Sequence, residues 1–215
     1  FECRGGALVT AVQQVAKARS THTDQSYLQD IHIALDAHQL TVRATDLELF
    51  CEKSLSVKGI QNGSCILKGE TLVKIISFLQ KNDTVFSCEL VDGVFSITSE
   101  KEVIEIKTTP YEDFPVLPSQ GESLGAVSKE VLVELLKDVA FCAATTEIKP
   151  EIASVYLYTK EGSLISVATD SYRLAEKVVE APEGLSLSVL IPQKHIADIV
   201  FIISEETSPL SLSMY

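Results

Sequence analysis

Two stretches of the sequence decide the fold: LTVRATDLELFCEK at residues 40–53 and LISVATDSYRLAEK at residues 164–177. They are identical at six of fourteen aligned positions, where chance would give about one. The stretches lie 124 residues apart, and the same offset aligns hydrophobic patterns without a gap along much of the chain. The sequence therefore predicts two copies of one structural module.

Each copy contains two amphipathic helical patterns and strand-like runs between them. Apolar residues of the first helix recur at the i, i+4, i+7, i+8 spacing of a buried stripe. The stripe residues are Leu8, Val12, Val15 and Ala16 in one copy, and Leu132, Leu136, Val139 and Ala140 in the other. The second helical stripe consists of Leu72, Ile75, Ile76 and Leu79, aligned with Ile196, Ile199, Val200 and Ile203. Alternating residues around Ile33 and Leu157 indicate half-buried strands. We therefore expect an α+β fold in which each module runs helix, strand, strand, helix, strand.

The module boundaries follow from the repeat and from turn-forming residues. We expect a first module at residues 1–118, a linker at 119–127 and a second module at 128–215, because the segment between the copies is rich in Pro, Gly and Ser. The first copy also continues through an Asp-Gly turn into strand-like runs at Val94–Thr98 and Val103–Thr108. The second copy lacks both runs, and a sheet left unfinished would expose an unpaired edge. We therefore expect the chain to be a fragment whose second module is incomplete.

Composition restricts the class of protein. Hydrophobic residues make up 46% and charged residues 22% of the 215 residues, as in a globular protein. No apolar run approaches the roughly 18 residues of a membrane span, and the five cysteines form no C-x-x-C pair. We therefore expect a cytoplasmic protein with reduced thiols, without a metal site. The net charge of −12 argues against coating nucleic acid by net attraction, but it leaves room for a local basic face.

The segment around Asp170 has two interpretations. Asp170, Ser171 and Arg173 could belong to an enzyme site, or they could form a hairpin turn in which side chains bond to nearby backbone. Asp46 occupies the same place in the first copy. Because an active site duplicated in both copies would be unusual, the repeat favours a structural turn.

The two copies differ immediately after this turn. Leu47-Glu48-Leu49 in the first copy corresponds to Ser171-Tyr172-Arg173 in the second. Tyr and Arg are enriched in binding hot spots, so this pair could anchor a partner. It could equally be a solvated surface pair, and the residues alone leave both readings open.

These motifs carry a resemblance to a known family. VATDSYRLAEK, the matching RATDLEL, and the segment Thr109-Pro110-Tyr111-Glu112-Asp113-Phe114-Pro115 resemble the bacterial DNA polymerase sliding clamp, the beta subunit of the polymerase III holoenzyme. The resemblance covers the first module and most of the second. It implies tandem clamp modules with outer sheets and inner helices, three to a subunit, and a homodimeric ring around duplex DNA. It also implies a processivity function without catalytic residues, cofactor or metal.

The resemblance also implies two sets of site residues. The first would bind short peptides from the replicative polymerase subunit, the clamp loader and repair proteins: Ile152, Thr169, Ser171, Tyr172, Arg173 and Leu174. The second would face double-stranded DNA without reading its sequence: Arg19, His22, Lys149 and Lys194.

Two other functions compete with the clamp. One is an enzyme, such as a hydrolase that uses Asp170 with Ser171, although the sequence offers no set of nucleophile, base and orienting residue. The other is a non-enzymatic scaffold of clamp-like modules, which binds peptides through Tyr172 and Arg173 but does not encircle DNA. A third copy of the module in the full-length protein would favour the clamp.

Overall fold

The structure is a computed structural model. It describes residues 1–20, 26–79, 84–100, 102–109, 114–115, 122–146, 148–205 and 210–214. The chain divides into two compact units, Phe1–Val116 and Leu117–Tyr215. No helix among these described residues is long and apolar enough to span a membrane.

The first unit is built on one antiparallel sheet of eight strands with two helices. Its elements are β1 (Glu2–Arg4), α1 (Gly5–Val15), β2 (Ile31–Asp36), β3 (Gln39–Thr45), β4 (Phe50–Ser56), β5 (Gly63–Leu67), α2 (Gly69–Phe78), β6 (Val85–Val91), β7 (Val94–Thr98) and β8 (Val103–Thr109). The strand order is β1-β6-β7-β8-β5-β2-β3-β4. The apolar stripe of α1, including the buried Leu8 and Val12, supplies part of the core. The strands predicted at β7 and β8 are confirmed.

The second unit repeats this plan with fewer strands. Its elements are β9 (Glu122–Val127), α3 (Lys129–Ala140), β10 (Ser154–Lys160), β11 (Ser163–Thr169), β12 (Leu174–Glu180), β13 (Ser188–Pro192), α4 (Gln193–Ser204) and β14 (Leu210–Met214). Four strands pair in the order β12-β11-β10-β13, and β14 pairs with β9. Helix α3 begins at the cap residue Ser128, whose side chain accepts a hydrogen bond from the Val131 N–H at 3.3 Å. Its buried stripe, including Leu135 and Leu136, packs in one core cluster with Leu157 and Leu164.

The structure confirms the α+β fold and the repeat, and it corrects the predicted element count. Strands β11 and β12 begin and end 124 residues after β3 and β4. Four strands, and not two, separate the helices of each unit. The predicted number of strands was too low. Strands β5 and β13, for example, have five residues each and lack a regular alternation of buried and exposed residues. Strand β9 also lies within the segment predicted as a linker. Ser123 and Gly125 interrupt its apolar pattern, so the sequence gives no strand signal there, and the strand is extended because it pairs with β14. The module bounds themselves stay a prediction.

Candidate functional site

The turn between β11 and β12 is held by side chains that bond to its own backbone. The Asp170 carboxylate accepts hydrogen bonds from the N–H groups of Tyr172 and Arg173, each at 3.0 Å, and from Arg173 Nε at 2.9 Å. Thr169 Oγ1 donates to the Arg173 carbonyl at 2.7 Å and accepts from the Ser171 N–H at 3.1 Å. The two backbone N–H bonds, followed by the Arg173 side chain, lower the pKa of Asp170. The side chains of Thr169 and Asp170 therefore stabilise the turn through these hydrogen bonds.

The first unit contains the same turn. Asp46 Oδ1 accepts from the N–H groups of Glu48 and Leu49 at 3.0 and 2.6 Å, and Thr45 Oγ1 donates to the Leu49 carbonyl at 2.9 Å. Leu47 and its repeat mate Ser171 both have φ of +77°, in the left-handed region. This shared network confirms that the Thr-Asp pair is a structural turn, as the repeat predicts.

The residues just after the turn are the exposed part of the second unit's hairpin. Tyr172 is 98% exposed and Leu174 is 65% exposed. The Arg173 guanidinium is held between the Asp170 carboxylate and the ring of Phe141, whose centroid lies 5.8 Å from Arg173 Cζ. The hairpin thus presents an aromatic ring, an aliphatic side chain and a positioned cation.

Sequence reasoning missed two apolar residues in this unit. Phe141 and Ile148 follow α3 and are 62% and 87% exposed. Phe141 directly follows the last residue of α3 and contacts Arg173, so it extends the apolar surface of the hairpin. A signal existed in the repeat, because the residue aligned with Phe141 in the first copy is Lys17. Ile152, which we predicted, is half-buried and lies two residues before β10, the strand that pairs with β11.

The predicted DNA-facing residues lie at three places. Arg19 follows α1 in the first unit. In the second unit, Lys149 is exposed before β10 and Lys194 is exposed in the first turn of α4. A chain of backbone hydrogen bonds joins these two regions, because the Ala153 N–H donates to the Lys149 carbonyl at 3.1 Å and the Gln193 N–H donates to the Ala153 carbonyl at 2.9 Å. His22 lies outside the described residues.

Lys177 joins two acidic side chains of α3, and the cysteines are buried. Lys177 forms ion pairs with Glu134 and with Asp138, the latter at 3.0 Å, and both partners raise its pKa. The five cysteines are free and buried, and burial raises the pKa of Cys65 to about 12. No group of three or more His, Cys, Asp or Glu in the described part of the chain could hold a metal ion.

Comparison with known proteins assigns the family. Residues 1–118 match the DNA polymerase III beta subunit, N-terminal domain, and residues 126–215 match the DNA polymerase III beta subunit, central domain. The chain is 26% identical over 223 residues to the beta sliding clamp of Staphylococcus aureus (strain Mu50 / ATCC 700699), a match that covers 99% of this chain and 59% of that protein. It is 31% identical over 189 residues to the beta sliding clamp of a Synechocystis species, covering 84% of this chain and 48% of that protein.

A solved structure shares the fold. The chain superposes on the pol III beta of Caulobacter crescentus with a TM-score of 0.90 and 25% identity, covering 100% of this chain and 60% of that chain. The match thus spans about three fifths of the length of the Staphylococcus aureus and Caulobacter crescentus proteins, and about half of the Synechocystis protein. With both of its units matched in order, the chain belongs to the family of DNA polymerase III beta subunits, the beta sliding clamps.

Proposed function

We propose that the full-length protein is a DNA sliding clamp that confers processivity on the replicative DNA polymerase by encircling duplex DNA as a homodimeric ring in the cytoplasm. The observation that carries this proposal is the match of both units, in order, to the N-terminal and central domains of the beta subunit. The mechanism is topological: the ring tethers the polymerase, and the protein makes and breaks no covalent bond.

Contact with DNA would depend on local and not on overall charge. The chain carries a net charge of −12, so its average field repels phosphates. We assign three cations to the DNA-facing surface: Arg19, Lys149 and Lys194. His22 belongs to the same group of residues predicted from the sequence. A few such contacts give weak, sequence-independent attraction, which permits sliding.

We assign partner peptides to the hairpin of the second unit. Tyr172, Leu174 and Ile152 supply apolar surface, and Arg173 supplies a cation already oriented by Asp170 and Phe141. Apolar anchors with a polar rim are typical of peptide recognition. Thr169 and the backbone N–H of Ser171 shape the turn that presents these side chains.

The test of the clamp uses full-length protein loaded on nicked circular DNA. After the DNA is cut once, a topological clamp slides off the ends, so the retained fraction should fall to background. A matched sample with both DNA ends blocked by bound protein should keep its clamps. Protein that stays on open-ended DNA, or never survives washing on the circle, contradicts the proposal and favours the peptide scaffold.

The test of the peptide site is a binding titration with a fluorescent peptide from the polymerase subunit. Leu174→Ala should weaken binding at least tenfold, about 1.4 kcal/mol, because it removes an exposed apolar anchor. Leu47→Ala is the matched control, since Leu47 is 61% exposed at the equivalent turn of the first unit. Equal effects of the two substitutions would remove the assignment to this hairpin.

A further inference from the structure

A side-chain clasp joins the turn between β2 and β3 to the segment that precedes β5. The Asn62 amide donates to Asp36 Oδ1 at 2.9 Å, and its Oδ1 accepts from the Ala37 N–H at 2.8 Å. Ala37 has φ of +50°, in the left-handed region that residues other than glycine rarely occupy. These two hydrogen bonds, here called the Asn62 clasp, therefore stabilise a strained turn.

The corresponding turn of the second unit is built differently. Its central residues are Glu161 and Gly162, and Gly162 has φ of +75°, which glycine adopts without strain. The residue 124 positions after Asn62 is Ser186, which carries a hydroxyl in place of the amide. The amide clasp therefore distinguishes the first unit from its repeat.

Asn62 is followed by Gly63, and this order of residues favours one covalent reaction. Asparagine is a thermolabile residue, and its side-chain carbon can be attacked by the backbone nitrogen of the next residue. Gly63 has no side chain to hinder that nitrogen, both residues are exposed, and a Cβ built at Gly63 meets no atom within 4 Å. The sequence and the local structure thus leave the attacking nitrogen accessible.

The atoms of the reaction balance with water as the only co-reactant. The Gly63 nitrogen loses its proton to solvent base and forms a bond to Asn62 Cγ. The bond from Cγ to the side-chain nitrogen breaks, and ammonia leaves with a proton from water. Water then opens the cyclic imide at one of its two carbonyls, which yields aspartate or isoaspartate at position 62.

We propose that Asn62 is a site of spontaneous deamidation and that the reaction releases the Asn62 clasp. The clasp itself slows the reaction, because two hydrogen bonds fix an amide that must rotate toward the next backbone nitrogen. Once formed, the new carboxylate has no N–H to donate, and it places a second negative charge beside Asp36. The change is irreversible, so each molecule loses the clasp once.

The isoaspartate product also changes the backbone. It adds one carbon to the main chain directly before Gly63, which pairs with Leu35 at the start of β5. Solvent screens the repulsion between the two carboxylates, because both positions are exposed. The expected damage is therefore local to this turn and to the first pair of the β2–β5 ladder.

The first experiment follows deamidation of the protein by mass spectrometry of its peptides during incubation at mildly alkaline pH. The peptide that contains Asn62 should gain the mass of one deamidation and should test positive for isoaspartate. Gly63→Ala should slow the reaction at least tenfold, because the added methyl group hinders the nitrogen, and the structure has space for it. Ser64→Ala, one residue further on, is the matched control and should react at the wild-type rate. Equal rates in the wild type and Gly63→Ala overturn the proposal.

A second variant tests the control of the reaction by the clasp. Asp36→Ala removes the oxygen that accepts from the Asn62 amide, so the amide rotates more freely. The rate of deamidation should rise at least threefold. An unchanged or lower rate overturns the link between the clasp and the reaction.

The consequence for the turn is measured without incubation. Asn62→Asp imitates the aspartate product and should lower the urea midpoint, because the donor to Asp36 is lost. Asp36→Asn combined with Asn62→Asp exchanges the two groups, so that an amide again faces a carboxylate, and it should recover most of the midpoint. Equal midpoints of the wild type and Asn62→Asp would show that the clasp does not stabilise the turn, which overturns the proposal.

Discussion

His32 should make the first unit sensitive to acid. Its side chain is 1% exposed in β2 and packs against the ring of Phe114, with centroids 5.1 Å apart. Burial, with a smaller contribution from the Arg43 charge, lowers the pKa of His32 from 6.5 to about 4. In the unfolded chain the imidazole regains its ordinary pKa. As the pH falls below 6.5, the imidazole of the unfolded state therefore binds a proton, while that of the folded state stays neutral until the pH approaches 4.

The sign and size of the effect follow from this difference. The folded-state pKa is the lower one, so the stability is fully present above pH 6.5 and is lost as the pH falls toward 4. Because each unit of pKa corresponds to a little over 1 kcal/mol, the loss from His32 is about 2–3 kcal/mol by about pH 4.5. Asp30 acts in the opposite direction, because burial raises its pKa and the folded state then binds the proton more tightly.

The assay is urea unfolding at about pH 7 and about pH 4.5, compared between the wild type and His32→Phe. The phenylalanine keeps a ring against Phe114 and removes the titrating group, while leaving Asp30 in place. The wild type should lose about 2–3 kcal/mol more free energy of unfolding than the variant between the two pH values. His38→Phe, at an exposed turn position, should behave as the wild type. Equal losses in the wild type and His32→Phe would refute the reasoning.

Three further predictions concern packing and the turn. Gly69→Ala should destabilise the chain by about 1–3 kcal/mol in urea unfolding, because the new Cβ would lie 2.2 Å from the Gln29 carbonyl oxygen. The control is Gly63→Ala, whose Cβ meets no atom within 4 Å; it should change the free energy of unfolding by less than about 0.5 kcal/mol. Leu136→Ala, at a fully buried position of α3, should cost about 2–5 kcal/mol in urea unfolding, and a cost near zero would contradict the assigned core. The carboxylate of Asp170 should titrate below 3.8 when followed by NMR, so its support of the turn persists above that pH and is lost as the pH falls through the lowered pKa.

The repeat made most of the fold predictable from sequence. Two strands of each unit show apolar alternation and lie 124 residues apart: β3 and β4, and β11 and β12. A strand predicted in one copy is therefore supported by the same pattern in the other. The missed strands depend on partners distant in sequence. Strand β9 is paired by β14, more than eighty residues later, across an irregularity in register between Leu212 and Ser213. Such pairing is set by tertiary contacts, which a local pattern does not contain.

The candidate hairpin was predictable for a different reason. The aligned copies share the Thr-Asp pair, whose side chains hold the turn. They differ at the next three positions, Ser171, Tyr172 and Arg173 in the second copy, where the turn does not require a particular residue type. Phe141 was missed because its sequence position, at the end of a helical stripe, resembles that of a core residue. Its 62% exposure and its contact with Arg173 arise only when α3 packs against β12.

The proposed peptide site occupies positions where the architecture shared by the two units does not need a particular side chain. In the turn, the hydrogen bonds come from Thr169, Asp170 and backbone atoms, so Tyr172 can replace the Glu48 of the first unit without breaking the hairpin. Duplication therefore leaves each unit free to differ at such positions, and the differences are where binding should be sought.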